Sequence, residues 1–287
     1  MAERAVPEKE ADGLRAEARR HLGRLRSAVR NRARARGVEL VQVAPRGGES
    51  LLGLHLWHLF SALDVTVVVD VGARTGEFGS WLRRNGYQGR IVSFEPVAAN
   101  FRRLSERASS DTSWQTYRMA LGSSEGTGSI NVTGGTQFSS FRRPSHYAQT
   151  VFGSEASISS VEDVKVGTLD SVWDEAIGTG AATYLKTDTQ GWDHEVVRGA
   201  SEALRHVVAV QMEVSLKAVY DESPPLEESL RLLRDLGFSV SGFFPVTLDH
   251  DLSAIEMDCV AVKTPVPGGP PSRLAVEGRT GARLPTG

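Results

Sequence analysis

Cysteine is almost absent from this chain of 287 residues, since Cys259 is its only one. A single cysteine excludes an internal disulfide and a cysteine-rich metal site. Long apolar runs are also lacking: none approaches the ~18 residues that a membrane-spanning helix requires. The first residues are charged and hold no apolar core of the kind that signal peptides have. We therefore expect a cytoplasmic protein with no membrane partner.

Charge of one sign is not in large excess either. The formal net charge is −2, so the chain as a whole has no general attraction to nucleic acid, and we expect no nucleic-acid partner. Hydrophobic residues make up 40% of the sequence, which is ordinary for a globular protein. The length allows one large α/β domain plus tails.

The two ends differ from the middle in composition. Residues 1–37 are rich in arginine, and apolar residues recur there at helical spacing, which predicts a basic amphipathic helical arm. Those apolar residues are Leu14, Ala18, Leu22, Leu25 and Val29. The arm could join two copies in a homodimer, bind an anionic surface or an acidic carrier protein, or pack along one edge of the domain. Residues 264–287 are rich in proline and glycine and predict a disordered tail.

Between these ends, short apolar runs alternate with segments of helical periodicity. The predicted core strands are 67–71, 90–94, 116–121, 182–188 and 207–214, followed by a C-terminal antiparallel hairpin of 238–244 and 256–262. The predicted helices are 51–63, 78–84, 96–104, 169–177, 193–206 and 226–236, with two further strands at 129–132 and 161–166. This order predicts an α/β fold with a mostly parallel seven-stranded sheet and helices on both faces. Ligands of such sheets bind beyond the carboxyl ends of the strands.

The turn after the first strand has the composition of a nucleoside-binding turn. Residues 67–69 are all valine, which indicates an inner parallel strand. The turn itself reads Asp70-x-Gly72-x-x-x-Gly76, and its glycines let a ligand approach the backbone. The second strand ends in Glu95 and Pro96, where the carboxylate can accept hydrogen bonds from both hydroxyls of a ribose.

The spacing of this turn also distinguishes between ligands. Dinucleotide enzymes use Gly-x-Gly-x-x-Gly, because a pyrophosphate must approach a helix N-terminus, and that pattern is missing here. Asp70 would repel a pyrophosphate, but it suits a ligand that carries an ammonium group and a sulfonium. S-adenosylmethionine (SAM) carries both, so the turn favours SAM. A nucleotide-dependent oxidoreductase is the rival hypothesis.

A series of motifs follows the turn. They are Ala120-Leu121-Gly122, Ser139-Ser140, Thr168-Leu169-Asp170, Lys186-Thr187-Asp188-Thr189-Gln190-Gly191, Val197-Arg198-Gly199-Ala200, Glu213-Val214-Ser215 and Gly237-Phe238. Together with the turn and Glu95, they make the chain resemble the FkbM-type SAM-dependent methyltransferases over about residues 67–262. Arg74 stands where that family commonly has asparagine, and Asp193 where it often has glutamate.

The resemblance implies a Rossmann-like class I methyltransferase domain over residues 38–263, with SAM as its cofactor. It also implies methyl transfer to a hydroxyl group of a small molecule, such as a sugar or a natural product. The residues assigned to SAM are Asp70, Gly72, Arg74 and Gly76 for the methionine half, Glu95 for the ribose, and Pro96, Met119 and Ala120 for the adenine, together with Ser140.

Side chains at the predicted strand ends are the candidates for the chemistry. An alcohol is weakly acidic, so methyl transfer to it benefits from a base that acts as the bond forms. Asp188 ends a buried strand and is the leading candidate, and Lys186 precedes it on the same strand face. These two could instead form a structural ion pair. Glu213 could bind the acceptor hydroxyl, and His194 is an alternative base because histidine titrates near neutrality.

Further hypotheses stay open beside this one. Asp188, Asp193 and Glu213 could together hold Mg²⁺, which would lower the pKa of the acceptor hydroxyl, although we assign no metal ligand. The segment 134–153, which contains His146, could cover the acceptor as a lid or pack as an ordinary loop. Its aromatic residues are Phe138, Phe141, Tyr147 and Phe152. A non-catalytic SAM-binding scaffold is a further alternative, and an RNA methyltransferase is less favoured because the positive charge lies in the arm.

Overall fold

The computed structural model describes residues 47–264. Its helices are α1 (Gly47–Ala62), α2 (Glu77–Arg84), α3 (Ala98–Ala108), α4 (His146–Phe152), α5 (Leu169–Ala176), α6 (Asp193–Arg198) and α7 (Leu226–Asp235). Its strands are β1 (Val67–Val71), β2 (Arg90–Phe94), β3 (Trp114–Tyr117), β4 (Ala120–Leu121), β5 (Gly126–Thr133), β6 (Ile158–Gly167), β7 (Thr183–Thr187), β8 (Val207–Ser215), β9 (Phe238–Leu248) and β10 (Ala254–Lys263). The predicted arm over residues 1–37 lies outside the described residues, and so does the predicted tail beyond residue 264.

A seven-stranded sheet organises the domain in the order β3-β2-β1-β7-β8-β10-β9. Five neighbouring strands of this sheet, β3, β2, β1, β7 and β8, run parallel. The strand β10 pairs antiparallel with both β8 and β9. The predicted α/β fold, with a mostly parallel seven-stranded sheet and a C-terminal antiparallel hairpin, is confirmed. The chain reverses its direction across the sheet between β1 and β7, which is where open α/β sheets bind ligands.

The two inner strands β1 and β7 are buried along their whole length because helices cover both faces of the sheet. One face packs against α5, α6 and α7 through residues such as Leu169, Val196 and Leu233. The other packs against α1, α2 and α3 through residues such as Leu56 and Leu82. In residues 47–264, none of the helices is long and apolar enough to cross a membrane.

Two predicted elements were wrong in their extent. The third strand was predicted to run to residue 121, but β3 ends at Tyr117, and β4 belongs to a separate sheet of order β4-β6-β5. The helix predicted over 193–206 ends at Arg198. Gly199 lies so close to the backbone of Gly122 that an added Cβ would be 1.9 Å from its carbonyl oxygen, and the chain turns away there. In addition, Pro96 precedes α3 instead of opening it.

Candidate active site

The turn between β1 and α2 is built on three residues with positive φ: Gly72 (φ 80°), Arg74 (φ 51°) and Gly76 (φ 87°). The amide N–H groups of Gly72 and Ala73 both donate to the carbonyl oxygen of Phe94, each at 3.0 Å, so the turn is tied to the end of β2. Side chains larger than hydrogen are excluded at Gly72, because an added Cβ would lie 2.0 Å from the carbonyl oxygen of Asp188. The turn is therefore held against the ends of two neighbouring strands.

Glu95, at the end of β2, is almost fully buried. Its Oε1 accepts from Val97 N at 2.9 Å and from Asn100 Nδ2 at 3.4 Å, and its Oε2 accepts from Arg74 N at 2.8 Å. Each carboxylate oxygen has two lone pairs, so one acceptor position on Oε2 stays free for a ligand. Burial raises the pKa of Glu95 to about 7, because the three hydrogen bonds to its charged form only partly offset the desolvation.

A cleft with an empty volume of about 520 Å³, its mouth included, opens beside this carboxylate. Seven of the residues assigned to SAM from the sequence line it: Gly72, Arg74, Glu95, Pro96, Met119, Ala120 and Ser140. Asp70 and Gly76 are not among its lining residues; Asp70 is fully buried in β1, and Gly76 is the N-cap residue that precedes α2.

Lys186 joins two carboxylates at the polar end of the cleft. Its Nζ lies 3.4 Å from Asp70 Oδ1 and 3.1 Å from Asp188 Oδ2, and it also lies over the ring of Phe78. Burial would lower the pKa of Lys186, but the carboxylates of Asp188 and Asp70 raise it above its usual value. Lys186 is therefore a cation throughout the physiological pH range.

Asp188 lines the cleft directly, and its side chain keeps 27% of its surface exposed. Burial would raise the pKa of Asp188, but Lys186 and Gln190 hold it below its usual value. Its Oδ1 accepts from Gln190 Nε2 at 2.7 Å, while Oδ2 accepts from Lys186. Asp188 is thus an ionised carboxylate with one unused lone pair on each oxygen.

Glu213 lies behind Asp188 and is bridged to it by one amide. Gln190 Nε2 donates to Glu213 Oε2 at 2.9 Å as well as to Asp188, and Gln190 Oε1 accepts from the Tyr220 hydroxyl at 2.5 Å. Burial and the neighbouring carboxyl of Glu256 raise the pKa of Glu213 well above its usual value. Glu213 does not line the cleft.

The other candidate residues lie elsewhere. His194 is buried against α7, with its Nε2 2.9 Å from Ser229 Oγ, and it does not line the cleft. Asp193 accepts from Thr189 N, and burial raises its pKa to about 6. His146 is exposed at the start of α4.

The aromatic residues of segment 134–153 divide between the cleft and a separate cluster. Phe138 and Phe152 pack together in an apolar cluster with Tyr220 and Ile255, and Tyr147 packs against that cluster. Phe141 lines the cleft, with its ring centroid 5.0 Å from that of Trp192. Of the four, Phe141 is therefore the residue placed to contact a ligand.

Sequence reasoning missed several residues that shape the cleft. Asn100 and Trp192 line it. Tyr220 donates a hydrogen bond to Gln190, which lines the polar end of the cleft. A signal existed for Asn100, because a polar residue in the first turn of the helix after Glu95 faces the strand end. None existed for Tyr220, which is 30 positions from Gln190 and meets it only in the folded chain.

The residues present fit SAM. Apolar side chains form the wall near Glu95, including Pro96, Met119 and Ile130, as a flat adenine requires. Glu95 offers a free acceptor for a ribose hydroxyl. At the other end, Asp188 lines the cleft beside the turn between β1 and α2. Thr189 Oγ1 and Trp192 Nε1 belong to cleft-lining residues there, and these buried atoms have no hydrogen-bond partner among the described residues.

Histidine, cysteine and carboxylate side chains do not form a metal-binding group in the part of the chain that the structure describes. Asp188 and Glu213 instead share the amide of Gln190, and Asp193 faces the backbone of Thr189. The geometry therefore offers no support for the Mg²⁺ arrangement.

The model of the methyltransferase FkbM domain matches residues 70–240. No curated protein matches the chain. Solved structures similar to it include a magnesium protoporphyrin IX methyltransferase from Synechocystis PCC 6803 with bound SAM (10% identity, 76% of this chain and 79% of that chain, TM-score 0.43). A 1,6-didemethyltoxoflavin-N1-methyltransferase from Burkholderia thailandensis is similar at 11% identity over 92% and 93% of the two chains, with a TM-score of 0.42.

Proposed function

Since this chain belongs to the FkbM methyltransferases and takes SAM as its methyl donor, we propose that it methylates a hydroxyl group of a small molecule. The acceptor class we favour is a hydroxylated natural product or sugar, and the base is Asp188. The remaining acceptor classes, nitrogen and carbon nucleophiles among them, are outcomes of the test below.

One observation carries the proposal: an ionised carboxylate lines the cleft immediately beside the glycine turn. Asp188 follows β7, and its amide N–H donates to Val71 O at 3.0 Å. The carboxylate cannot be neutralised near pH 7, because Lys186 and Gln190 both favour its charged form. An alcohol that enters the cleft therefore meets an acceptor for its proton.

The chemistry divides between the donor and the chain. Bound SAM supplies a methyl group on a sulfonium sulfur, which is already an excellent leaving group. The chain positions the acceptor oxygen, and positioning alone can lower a barrier by about 7–11 kcal/mol. As the new C–O bond forms and the C–S bond breaks, a free lone pair of Asp188 takes the hydroxyl proton. Lys186 keeps this base from neutralising before the acceptor arrives.

The test compares wild-type protein with Asp188→Asn. Hydroxylated metabolites are incubated with SAM, and mass spectrometry detects products heavier by one methyl group. We expect an O-methylated product from the wild type and a loss of kcat on the order of 10²–10⁴-fold in the variant, the range of general-base contributions. Calorimetric titration should give similar SAM affinities for both proteins, because Asp188→Asn keeps the shape of the cleft.

Other outcomes would overturn parts of the proposal. Methylation of nitrogen or carbon in place of oxygen would refute the acceptor class, and unchanged turnover in Asp188→Asn would remove this base. SAM binding without transfer to any acceptor would favour a SAM-binding scaffold. Turnover lost on addition of EDTA and restored by Mg²⁺ would favour a metal-assisted reaction instead.

A further inference from the structure

The amide of Gln190 lies between the proposed base and a second carboxyl group. Its Nε2 donates to Asp188 Oδ1 at 2.7 Å and to Glu213 Oε2 at 2.9 Å, so both of its protons are used on carboxyl oxygens, of which that of Asp188 is ionised. A charge-assisted hydrogen bond is roughly twice as strong as a neutral one. Gln190 thus restrains the side chain of Asp188, the proposed base, whose position the reaction depends on.

Tyr220 fixes which way that amide faces. Its hydroxyl donates to Gln190 Oε1 at 2.5 Å, and its ring is fully buried, so the donor cannot swing away. With the amide reversed, the oxygen of Gln190 would face the ionised carboxylate of Asp188, which repels it. One orientation is therefore strongly favoured, and it is the orientation in which Asp188 is held.

The backbone of Gln190 is held as firmly as its side chain. Gln190 has φ 58°, a left-handed conformation that is uncommon for a residue with a side chain. The carbonyl oxygen of Gln190 accepts from Ser140 Oγ at 2.6 Å, and the next carbonyl, that of Gly191, accepts from Arg142 Nε at 2.8 Å. The cleft wall around Ser140 therefore stabilises the unusual turn that places the amide.

Resting on the proposed function, we propose that Gln190 is a positioning residue, oriented by Tyr220, that holds the Asp188 carboxylate toward the acceptor and keeps it ionised. Gln190 does not itself exchange a proton in the reaction. It acts through Asp188. The other hydrogen-bond donor to Asp188, Lys186, contacts only Oδ2, so Gln190 is needed to restrain Oδ1.

Several charged groups surround Asp188 and affect its titration. They are Lys186 on β7, Asp70 on β1, Arg74 in the turn between β1 and α2, Glu213 on β8, Glu256 and Asp258 on β10, and Asp193 at the start of α6. Burial raises the pKa of Asp188, whereas Lys186, Gln190 and Arg74 lower it. Loss of the Gln190 hydrogen bond shifts that balance toward the protonated form.

The test uses Gln190→Met, which keeps the length of the side chain but neither donates nor accepts, and Tyr220→Phe, which removes only the hydroxyl. Protein labelled with ¹³C at aspartate carboxyl carbons is titrated by NMR, and the Asp188 signal is identified by its absence in Asp188→Asn. We expect the titration midpoint of Asp188 to rise in both variants, more in Gln190→Met. In turnover, kcat should fall on the order of 10–100-fold, as for a misplaced catalytic group, with an unchanged KM for SAM.

Matched controls are Gln88→Met and Tyr87→Phe, in an outer turn between α2 and β2, which should leave both readouts unchanged. An unshifted Asp188 midpoint in Gln190→Met would overturn the inference, even if that variant were less stable. The NMR readout needs no acceptor, so it also decides the inference if the proposed hydroxyl chemistry fails. Conversely, a shifted midpoint with unchanged turnover in Asp188→Asn would support the contacts and refute Asp188 as the base.

Discussion

Gly72 and Asp188 are in backbone contact beneath the cleft, since a Cβ on Gly72 would lie 2.0 Å from the carbonyl oxygen of Asp188. The amide of Asp188 also donates to Val71, the residue before this glycine. The turn that shapes the SAM site and the strand end that presents the base are therefore one rigid unit. Their separation cannot change without breaking this packing, which suits a reaction that depends on alignment.

Gly72→Ala should accordingly abolish SAM binding and destabilise the fold. The added methyl group meets backbone at a distance that no rotamer change relieves, and φ 80° is unfavourable for alanine. The loss of stability should exceed the roughly 1–2 kcal/mol that a left-handed conformation alone costs an L-residue. Urea unfolding gives the change in free energy, and calorimetric titration gives the SAM affinity.

Gly178→Ala is the matched control for this substitution. Gly178 has φ 77°, nearly the same as Gly72, but no atom lies within 4 Å of its added Cβ. It should therefore show the conformational cost without the clash, and bind SAM as the wild type does. Equal destabilisation of the two variants would show that the Gly72 contact is not as tight as described.

The affinity for SAM should depend on pH through Glu95. Burial raises the pKa of Glu95 to about 7, so the empty site holds a largely protonated carboxyl at acid pH. A ribose hydroxyl donates best to the ionised form, so the Kd should rise as pH falls, approaching about tenfold per unit below the pKa. The free energy of unfolding of the SAM-free protein should instead fall as pH rises, whereas the affinity for SAM increases. A raised pKa contributes stability that is present below the ordinary value of 4.5 and is lost as pH rises through about 7.

Glu95→Gln separates this carboxyl from other groups that titrate nearby. The amide has one oxygen and one NH₂ group, so it can accept from Arg74 N or from Val97 N but not from both, and it has no charge to gain. Its SAM affinity should therefore be weaker than that of the wild type and flat across the same pH range. Calorimetry at several pH values measures both profiles. A slope that survives in Glu95→Gln would assign the titration to another group, such as Asp193.

The sequence was sufficient for the inner part of the fold. The strands β1 and β2 have the predicted bounds, because each is a short β-branched or apolar run that ends at a glycine turn or at Glu95-Pro96. The same periodicity failed at Ala120, since an apolar dipeptide does not specify which of two sheets it joins. Strand pairing there is decided by β6, whose Val166 pairs with Ala120 from 46 positions further along the chain.

The candidate site was predictable only where function is carried by local motifs. Gly72, Glu95 and Asp188 lie at strand ends, and the order of strands brings such ends together. His194 could not be placed in the same way, because the face of a helix that turns to the cleft depends on where α7 packs. The bridge from Tyr220 through Gln190 to Asp188 depends on side-chain rotamers and has no sequence pattern.

Lys186→Met should be strongly destabilising near neutral pH. Two carboxylates, Asp70 and Asp188, would lose the cation between them, and breaking a buried ion pair from one side costs about 3–5 kcal/mol. Without Lys186 the folded-state pKa of both carboxyls rises, so the deficit should shrink as pH falls and grow as pH rises. Urea unfolding at several pH values measures this trend.

The double variant with Asp70→Asn should recover part of the stability lost in Lys186→Met at neutral pH. No recovery would mean that Lys186 acts mainly through packing on Phe78.

Asp170 belongs to a motif shared with the FkbM family, yet the structure gives it a folding role. Its carboxylate accepts from the backbone N–H groups of Glu202 and Ala203 and from Ser201 Oγ, at 2.7–3.1 Å, and it does not line the cleft. Asp170→Ala should therefore lower the free energy of unfolding by about 2 kcal/mol, typical of hydrogen bonds to a charged group, with unchanged SAM affinity. Asp174→Ala, an exposed aspartate on the same helix, should leave both quantities unchanged. Loss of SAM binding in Asp170→Ala at unaltered stability would contradict this role and make Asp170 part of the binding site.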